Sequence, residues 1–310
     1  MTSAGSAAVA ARAFADPAER PDPGQPKRRT RHAFAASLGL LPFGVYTALF
    51  LVVPAAAVVI EAFRSPAGHW TWANIATATH GVYLHGFITT IELSVVTSII
   101  PGILGLIVAN AVLTSRGGVL KRIVSTASGV FAQFGGVPLA FLFISALGTT
   151  GLLTGWLKAA GYDPWDHGFD LYKFFGVAVV YMYFQLPLMV LVITPALEGL
   201  RPAWREAASG MGARGWQYWR YVGGQVLFPS FLGGVLLLFG GSLSAYATAD
   251  VLTSGSISLT SIQIGSFLNG NVIAGQQNVG KALGLGLVVI IAVVMVLYFF
   301  LQRRASRWLR

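Results

Sequence analysis

The chain has 310 residues, 55% of them hydrophobic and only 10% charged, with a mean hydropathy of +0.68. A soluble domain carries roughly 25% charged residues, so composition alone excludes an ordinary water-soluble fold. There is no cysteine, which excludes a disulfide framework and thiol chemistry. The net charge of +10 lies beside apolar stretches, where it reports membrane topology rather than a nucleic-acid footprint.

Residues 1–35 are rich in Ala, Pro and Arg and close with Lys27, Arg28, Arg29 and Arg31. Arg12, Asp16, Glu19 and Arg20 interrupt the segment before any apolar core forms, so it is not a secretory signal. It reads as a disordered basic tail drawn to anionic lipid headgroups, or as a plain cytoplasmic retention signal. The first span is expected over Leu38–Phe63, with Pro42 and Pro54 inside it, which membrane helices tolerate. A loop follows with Trp70 and Trp72 as interfacial anchors. Its histidines, His69, His80 and His85, lack close ligand spacing and read as surface residues.

The second span is expected over Phe87–Leu113, with a kink at Pro101-Gly102. The basic loop Thr114–Arg122 leads to a third span over Ile123–Leu147, with Gln133, Gly135, Gly136 and Pro138 in its middle. Residues 149–171 form a second loop of opposite side, with Trp156, Trp165 and three aspartates. The fourth span covers Tyr172–Leu197, the fifth Val226–Ala249 and the sixth Val279–Leu301. Residues 250–278 hold no Lys or Arg, and Arg303, Arg304, Arg307 and Arg310 close the chain.

Six spans put both termini on one side. That side carries seventeen of the twenty-one Lys and Arg: six in the tail, three in the second–third loop, four in the fourth–fifth loop and four at the C-terminus. Arg64, Lys158, Lys173 and Lys281 lie on the other. Positive residues stay inside, so both termini and the fourth–fifth loop are expected in the cytoplasm.

No phosphate-binding Gly-x-x-x-x-Gly-Lys-Ser/Thr loop occurs, and no His/Cys metal cluster. No enzyme activity and no cofactor is therefore expected in this chain. Ionisable residues within the spans are few, Glu61, Glu92 and Asp250, all near span ends. An ion-coupled transporter needs buried charge near the midplane, so the energy is expected to enter elsewhere. Polar residues that lie deeper include Asn110, Gln133, Tyr183, Gln185, Ser242, Ser244 and Tyr246. With Asp250 they form a candidate substrate path: Gln133, Tyr183, Gln185, Ser242, Ser244, Tyr246 and Asp250. The competing reading is ordinary helix–helix hydrogen bonding.

The most informative stretch is polar and lies between the fourth and fifth spans. Pro202 suits a first helical turn, Glu206-Ala207-Ala208 continue it, and Gly212 can end it. The spacing predicts an exposed helix of about two to three turns. Glu206-Ala207-Ala208, three residues, Gly212, nine residues and then Val222 resembles the Glu-Ala-Ala signature of binding-protein-dependent ABC importer permeases of the type I fold. That pattern continues with Leu-Pro, whereas this chain has Gly224-Gln225 and a proline only at Pro229. Phe87–Ser94 resembles the start of that family's transmembrane domain, and Ser244–Asp250 is similar to its polyamine/iron(III) branch.

The resemblance implies an all-α membrane protein of six transmembrane helices with both termini cytoplasmic. It divides the chain into a basic tail (1–35), a first helix and outer loop (36–85), an importer transmembrane domain (86–302) with a coupling loop at 198–225, and a basic end (303–310). It implies an ATP-binding subunit, a second permease subunit (identical or related), an extracytoplasmic solute-binding protein and surrounding membrane lipid as partners, and no nucleic acid. Arg205, Glu206, Ala207, Ala208 and Gly212 would couple the permease to the ATPase. Glu206 would pair with a basic residue of the ATPase, or with Arg205 or Arg201. Trp204, Trp216 and Trp219 read either as anchors for that partner or, for the last two, as interfacial residues. The location implied is a bacterial inner membrane. The outer acids Asp163, Asp166, Asp170 and Asp250 point to a small cationic solute such as a polyamine, or merely follow topology or contact the binding protein. Two other classes fit less well: an ATP-independent secondary transporter or channel, and a membrane scaffold that recruits a cytoplasmic partner.

Overall fold

A computed structural model describes residues 41–115, 118–270, 276 and 278–306, with side chains as far as 303. The expectations for the basic tail, for Arg116 and for Arg304, Arg307 and Arg310 fall outside the described side chains. Contacts divide the chain into two units, Met1–Ala56 and Ala57–Arg310. The described part of the first is helical, with a wide π turn at Ala48–Val52. Among the described residues all regular structure is helical, apart from one bridge between Arg64 and Trp70.

Among the described residues six stretches are long and apolar enough to cross a membrane: Leu41–Ala62 (α1), Gly81–Thr114 (α3), Gly136–Ala159, Phe174–Glu198 (α7), Gly215–Ser244 and Val279–Arg303. Between them lie α2 (Ala73–Ala78), α4 (Gly118–Gln133) and α8 (Pro202–Gly210). The third stretch comprises α5 (Gly136–Leu147) and α6 (Leu152–Ala159). The fifth comprises α9 (Gly215–Tyr218), a π turn at Trp219–Gly223 and α10 (Gly224–Ser244). Two shorter helices, α11 (Ala247–Thr253) and α12 (Thr260–Leu268), precede the last, α13 (Val279–Ser306).

The long helices pack through small residues. α3 buries Gly86, Thr90, Ser94, Thr97, Pro101, Gly105 and Ala109, a stripe of three- and four-residue steps. Its length, about 50 Å at 1.5 Å per residue, exceeds the roughly 30 Å hydrocarbon core. Pro101 sits inside this continuous helix rather than ending it. A Cβ on Gly105 would stand 2.7 Å from that of Met189 on α7, so only glycine allows the two axes to approach as they do. Met189, Val190, Ile193, Leu227 and Leu238 form one buried cluster there, and Leu139, Leu171, Val177, Tyr181, Leu252 and Leu259 form another.

A polar clasp joins residues 61–64 to the start of α13. Lys281 bonds Glu61 and donates to Asn278 Oδ1 at 3.1 Å. The amides of Asn278 and Asn74 donate to the Arg64 carbonyl at 2.7 and 2.8 Å.

Two expected spans are interrupted. The segment expected as one helix over 123–147 breaks at Phe134-Gly135 into α4 and α5, because Gly136 takes φ +72°, which a side chain resists. The fifth ends at Ser244, and Ala245-Tyr246 are unwound before α11. Conversely, Gly224-Gln225 are helical: the π turn at Trp219–Gly223 leads straight into α10, with Pro229 inside it. The loop expected at 149–171 contains α6.

Candidate functional site

α8 begins as the sequence suggests. Pro202 occupies its first turn, where the absent N–H would have had no acceptor. The helix ends at Gly210. Met211 and Gly212 donate their N–H groups to the carbonyls of Ala207 (3.1 Å) and Ser209 (3.0 Å), and Ala213 donates to Ala208 (3.0 Å). Gly212 has φ +77° and nothing within 4 Å of a notional Cβ, so the site needs its conformation and not its small size. The chain then turns into α9, where the Arg214 N–H donates to Gln217 Oε1 at 2.6 Å.

Only Ala208 of α8 is buried, at 7% exposure; Arg205, Glu206 and Ala207 all face outward. Among the described residues Glu206 makes no ion pair, so its carboxylate is bonded neither to Arg201 nor to Arg205. Tyr218 is buried beneath the loop, Trp219 packs on the Met189 cluster, and Trp216, Met211 and Tyr221 are exposed. A cavity of about 360 Å³ opens beside α8, between the ends of α3 and α7, and its lining includes Asn110, Glu198, Arg201, Arg205 and Trp219. Lys121 closes on Glu198 at 2.6 Å.

The candidate path residues separate into groups. Gln133 is exposed at the end of α4. Tyr183 is half-buried between Phe131 and Phe143, with ring centroids 5.7 and 5.6 Å away. Gln185 and Ser242 lie wholly inside the helix interface: Gln185 is 0% exposed and its amide bonds Ser242 Oγ. Ser244 is exposed and bonds back to Gly240 O at 2.9 Å. Tyr246 donates to Asp250 Oδ2 at 3.1 Å, and that bond raises the phenol above its ordinary range.

The structure adds residues that sequence reasoning passed over. Thr248 spans the two interruptions: its Oγ1 accepts from the Gly136 N–H at 2.9 Å and donates to the Gly136 carbonyl at 3.2 Å. Tyr181, buried on α7, donates to the Ala245 carbonyl at 2.8 Å, and Ser261 does so at 3.3 Å. Thr97 meets Ser242 at 2.7 Å. One signal was in the chain: Tyr181 and Gln185 are four residues apart on one helix face.

Long apolar helices packed through small residues, two of them interrupted, with a short exposed helix set between the fourth and fifth, define a multi-pass membrane protein. Residues 102–310 match the model of the family described as binding-protein-dependent transport system inner membrane component, and the chain belongs to that family. It is 28% identical over 237 residues to the sulfate transport system permease protein CysT of Escherichia coli (strain K12), covering 74% of this chain and 78% of that one. Its fold resembles that of a bacterial ABC transporter involved in the import of the acidic polysaccharide alginate, with TM-score 0.71, 17% identity, and coverage of 89% of this chain and 98% of that one. It also resembles the MetNI methionine ABC transporter in inward-facing conformations, with TM-score 0.53, 17% identity, and coverage of 72% and 95%. The protein is thus a permease subunit of an ABC importer and a multi-pass inner-membrane protein. Permeases of this family are not catalytic, and a separate subunit hydrolyses ATP.

Proposed function

We propose that this chain and a second permease subunit line a path for a small solute delivered by an extracytoplasmic binding protein. In this reading α8 is the coupling helix. Arg205, Glu206, Ala207, Ala208 and Gly212 transmit the closure of the ATP-binding subunits to the spans, and the loop 198–225 and both termini face the cytoplasm. The basic tail (1–35), the first helix and outer loop (36–85), the transmembrane domain (86–302) and the basic end (303–310) keep the roles assigned from sequence.

The observation that carries this reading is the exposure of α8. A nine-residue helix is too short to be stable in isolation. Here it buries one alanine and, among the described residues, leaves the Glu206 carboxylate without an ion pair. Such a helix has a surface to give to another protein, and Ala207 beside Glu206 permits close approach.

Substrate chemistry is read as a small oxyanion of the sulfate kind. The relative at 28% identity is named for sulfate. The acidic loop that suggested a polyamine is largely neutralised within the chain: Lys158 bonds Asp163 at 2.9 Å and Lys173 bonds Asp170 at 3.1 Å. Asp250 is engaged by Tyr246. Competition of labelled sulfate uptake by unlabelled sulfate, and none by a polyamine, is the expected outcome; the reverse pattern restores the cationic reading.

The coupling role is tested in the reconstituted complex. Glu206→Lys and Gly212→Pro are expected to abolish solute-stimulated ATP hydrolysis while the chain still inserts. Normal stimulation in both variants contradicts the role. Uptake by this chain without any ATPase would instead make it a secondary transporter or channel, and partner binding without solute movement would make it a scaffold.

A further inference from the structure

The interrupted end of α10 is held to α7 by hydrogen bonds as well as by packing. Gly240 and Gly241 precede the break, and a Cβ on either would meet no atom within 4 Å. Just beyond them Ala245-Tyr246 are unwound, so the Ala245 carbonyl leaves the helical ladder. A freed carbonyl inside a membrane protein is costly unless a donor reaches it. Tyr181 supplies one at 2.8 Å. One turn along the same face of α7, the Gln185 amide donates to the Leu238 carbonyl at 3.1 Å and to Ser242 Oγ.

The direction of these bonds is fixed. Thr97 gives its only hydroxyl proton to the Leu93 carbonyl at 2.7 Å. In the 2.7 Å contact between Thr97 and Ser242, Ser242 must therefore be the donor, which leaves its oxygen to accept from Gln185. The run of bonds is Gln185 to Ser242 to Thr97 to Leu93, crossing α7, α10 and α3. Gln185, Ser242 and Thr97 are all buried, and among the described residues Gln185 Oε1 has no partner. The segment after the joint carries Thr248, which closes on Gly136 at the other interrupted helix.

We propose that Tyr181 and Gln185 are positioning residues for transport: they hold the interrupted end of α10, and with it α11, in one register, and the spans change access by exchanging these bonds. The joint rests on the importer role assigned above, but its geometry can be tested without a transported solute. Packing alone predicts a different outcome. Gln185→Met keeps the volume and removes the unpartnered oxygen, so a merely structural glutamine would be replaced without loss of stability or coupling.

The test uses the reconstituted complex with Tyr181→Phe, Gln185→Met and the double variant. Solute taken up per ATP hydrolysed is expected to fall about three- to tenfold in each single variant, the effect of one interhelical hydrogen bond in a membrane. Assembly is expected to stay at the wild-type level; Gln185→Met should leave the melting temperature alone, and Tyr181→Phe, which takes the nearer donor from the Ala245 carbonyl, should lower it slightly. A spin label on Ser254→Cys, at the exposed end of α11 in a chain without cysteine, should be more mobile in the double variant than in the parent. An unchanged uptake ratio with an unchanged label spectrum overturns the proposal. Tyr181→Phe removes a single oxygen and carries the same test should the glutamine variants not assemble. Absence of ATP-driven uptake by the unmutated complex counts against the importer reading, and the label spectrum still decides the joint.

Discussion

The loop helix α8 and the joint between α7 and α10 are both short polar features of an apolar chain, and they are built in opposite ways. α8 faces outward along nearly its whole length, with Ala208 as its one buried residue. The joint is enclosed: Gln185, Ser242 and Thr97 spend their donors on one another and on carbonyls of α3 and α10. A helix that is exposed and, among the described residues, leaves its carboxylate without an ion pair is shaped for a partner. A buried network that uses nearly all of its own polar groups is shaped to hold one arrangement. The comparison suggests that energy enters this permease at a surface and is spent where a register is held internally.

The sharpest way to break the contrast is at Gly212. Proline cannot adopt φ +77°, so Gly212→Pro must rebuild the end of α8, at a cost of about 1–3 kcal/mol locally. Coupling should be lost outright while the six spans still insert, as read by solute-stimulated ATP hydrolysis. The joint should respond more softly: Gln185→Met changes the uptake ratio severalfold and leaves the melting temperature alone. Thr248→Val removes both bonds to Gly136 and leaves that N–H without its side-chain acceptor. It should cost about 1–3 kcal/mol, visible as a lower melting temperature in detergent.

The smallest effect lies in the loop carrying Asp163. The hydrogen bond from Lys158 holds that carboxyl below its ordinary value of 3.8. A lowered folded-state value means that the bond stabilises above the unfolded pKa and is lost as pH falls through the folded one. Asp163→Asn should therefore lower stability slightly at neutral pH, where the bond is present, and flatten the acid limb below about pH 4, where the parent loses it too. A melting series from pH 3 to pH 7 checks the sign.

Much of the fold was legible because membrane spans announce themselves by length and apolarity. The fourth span, expected over Tyr172–Leu197, is Phe174–Glu198, and the sixth begins at Val279 as expected. The interruptions were not legible. Gly135-Gly136 reads equally as a packing site or a break, and only the positive φ at Gly136 together with Thr248, 112 residues away, decides. The loop helix could be read locally from Pro202 to Gly212, because caps and stops act within one turn. The missing Leu-Pro at Gly224-Gln225 raised a doubt that the π turn at Trp219–Gly223 answers, since it carries the chain into α10 without a proline there. Tyr181 escaped notice because a tyrosine in a span looks apolar until its hydroxyl is seen 2.8 Å from the Ala245 carbonyl.

The central claim, that α8 delivers the work of ATP to the spans, is tested most directly by contact. The 310 residues contain no cysteine, so Ala207→Cys places a single thiol on the exposed face of α8. Labelled there with a benzophenone maleimide and irradiated in the assembled complex, the chain should become covalently joined to the ATP-binding subunit. A label at exposed Leu268 on α12 should join nothing to that subunit. Equal joining from both positions, or none from Ala207→Cys in a complex that still hydrolyses ATP in response to solute, would contradict the account.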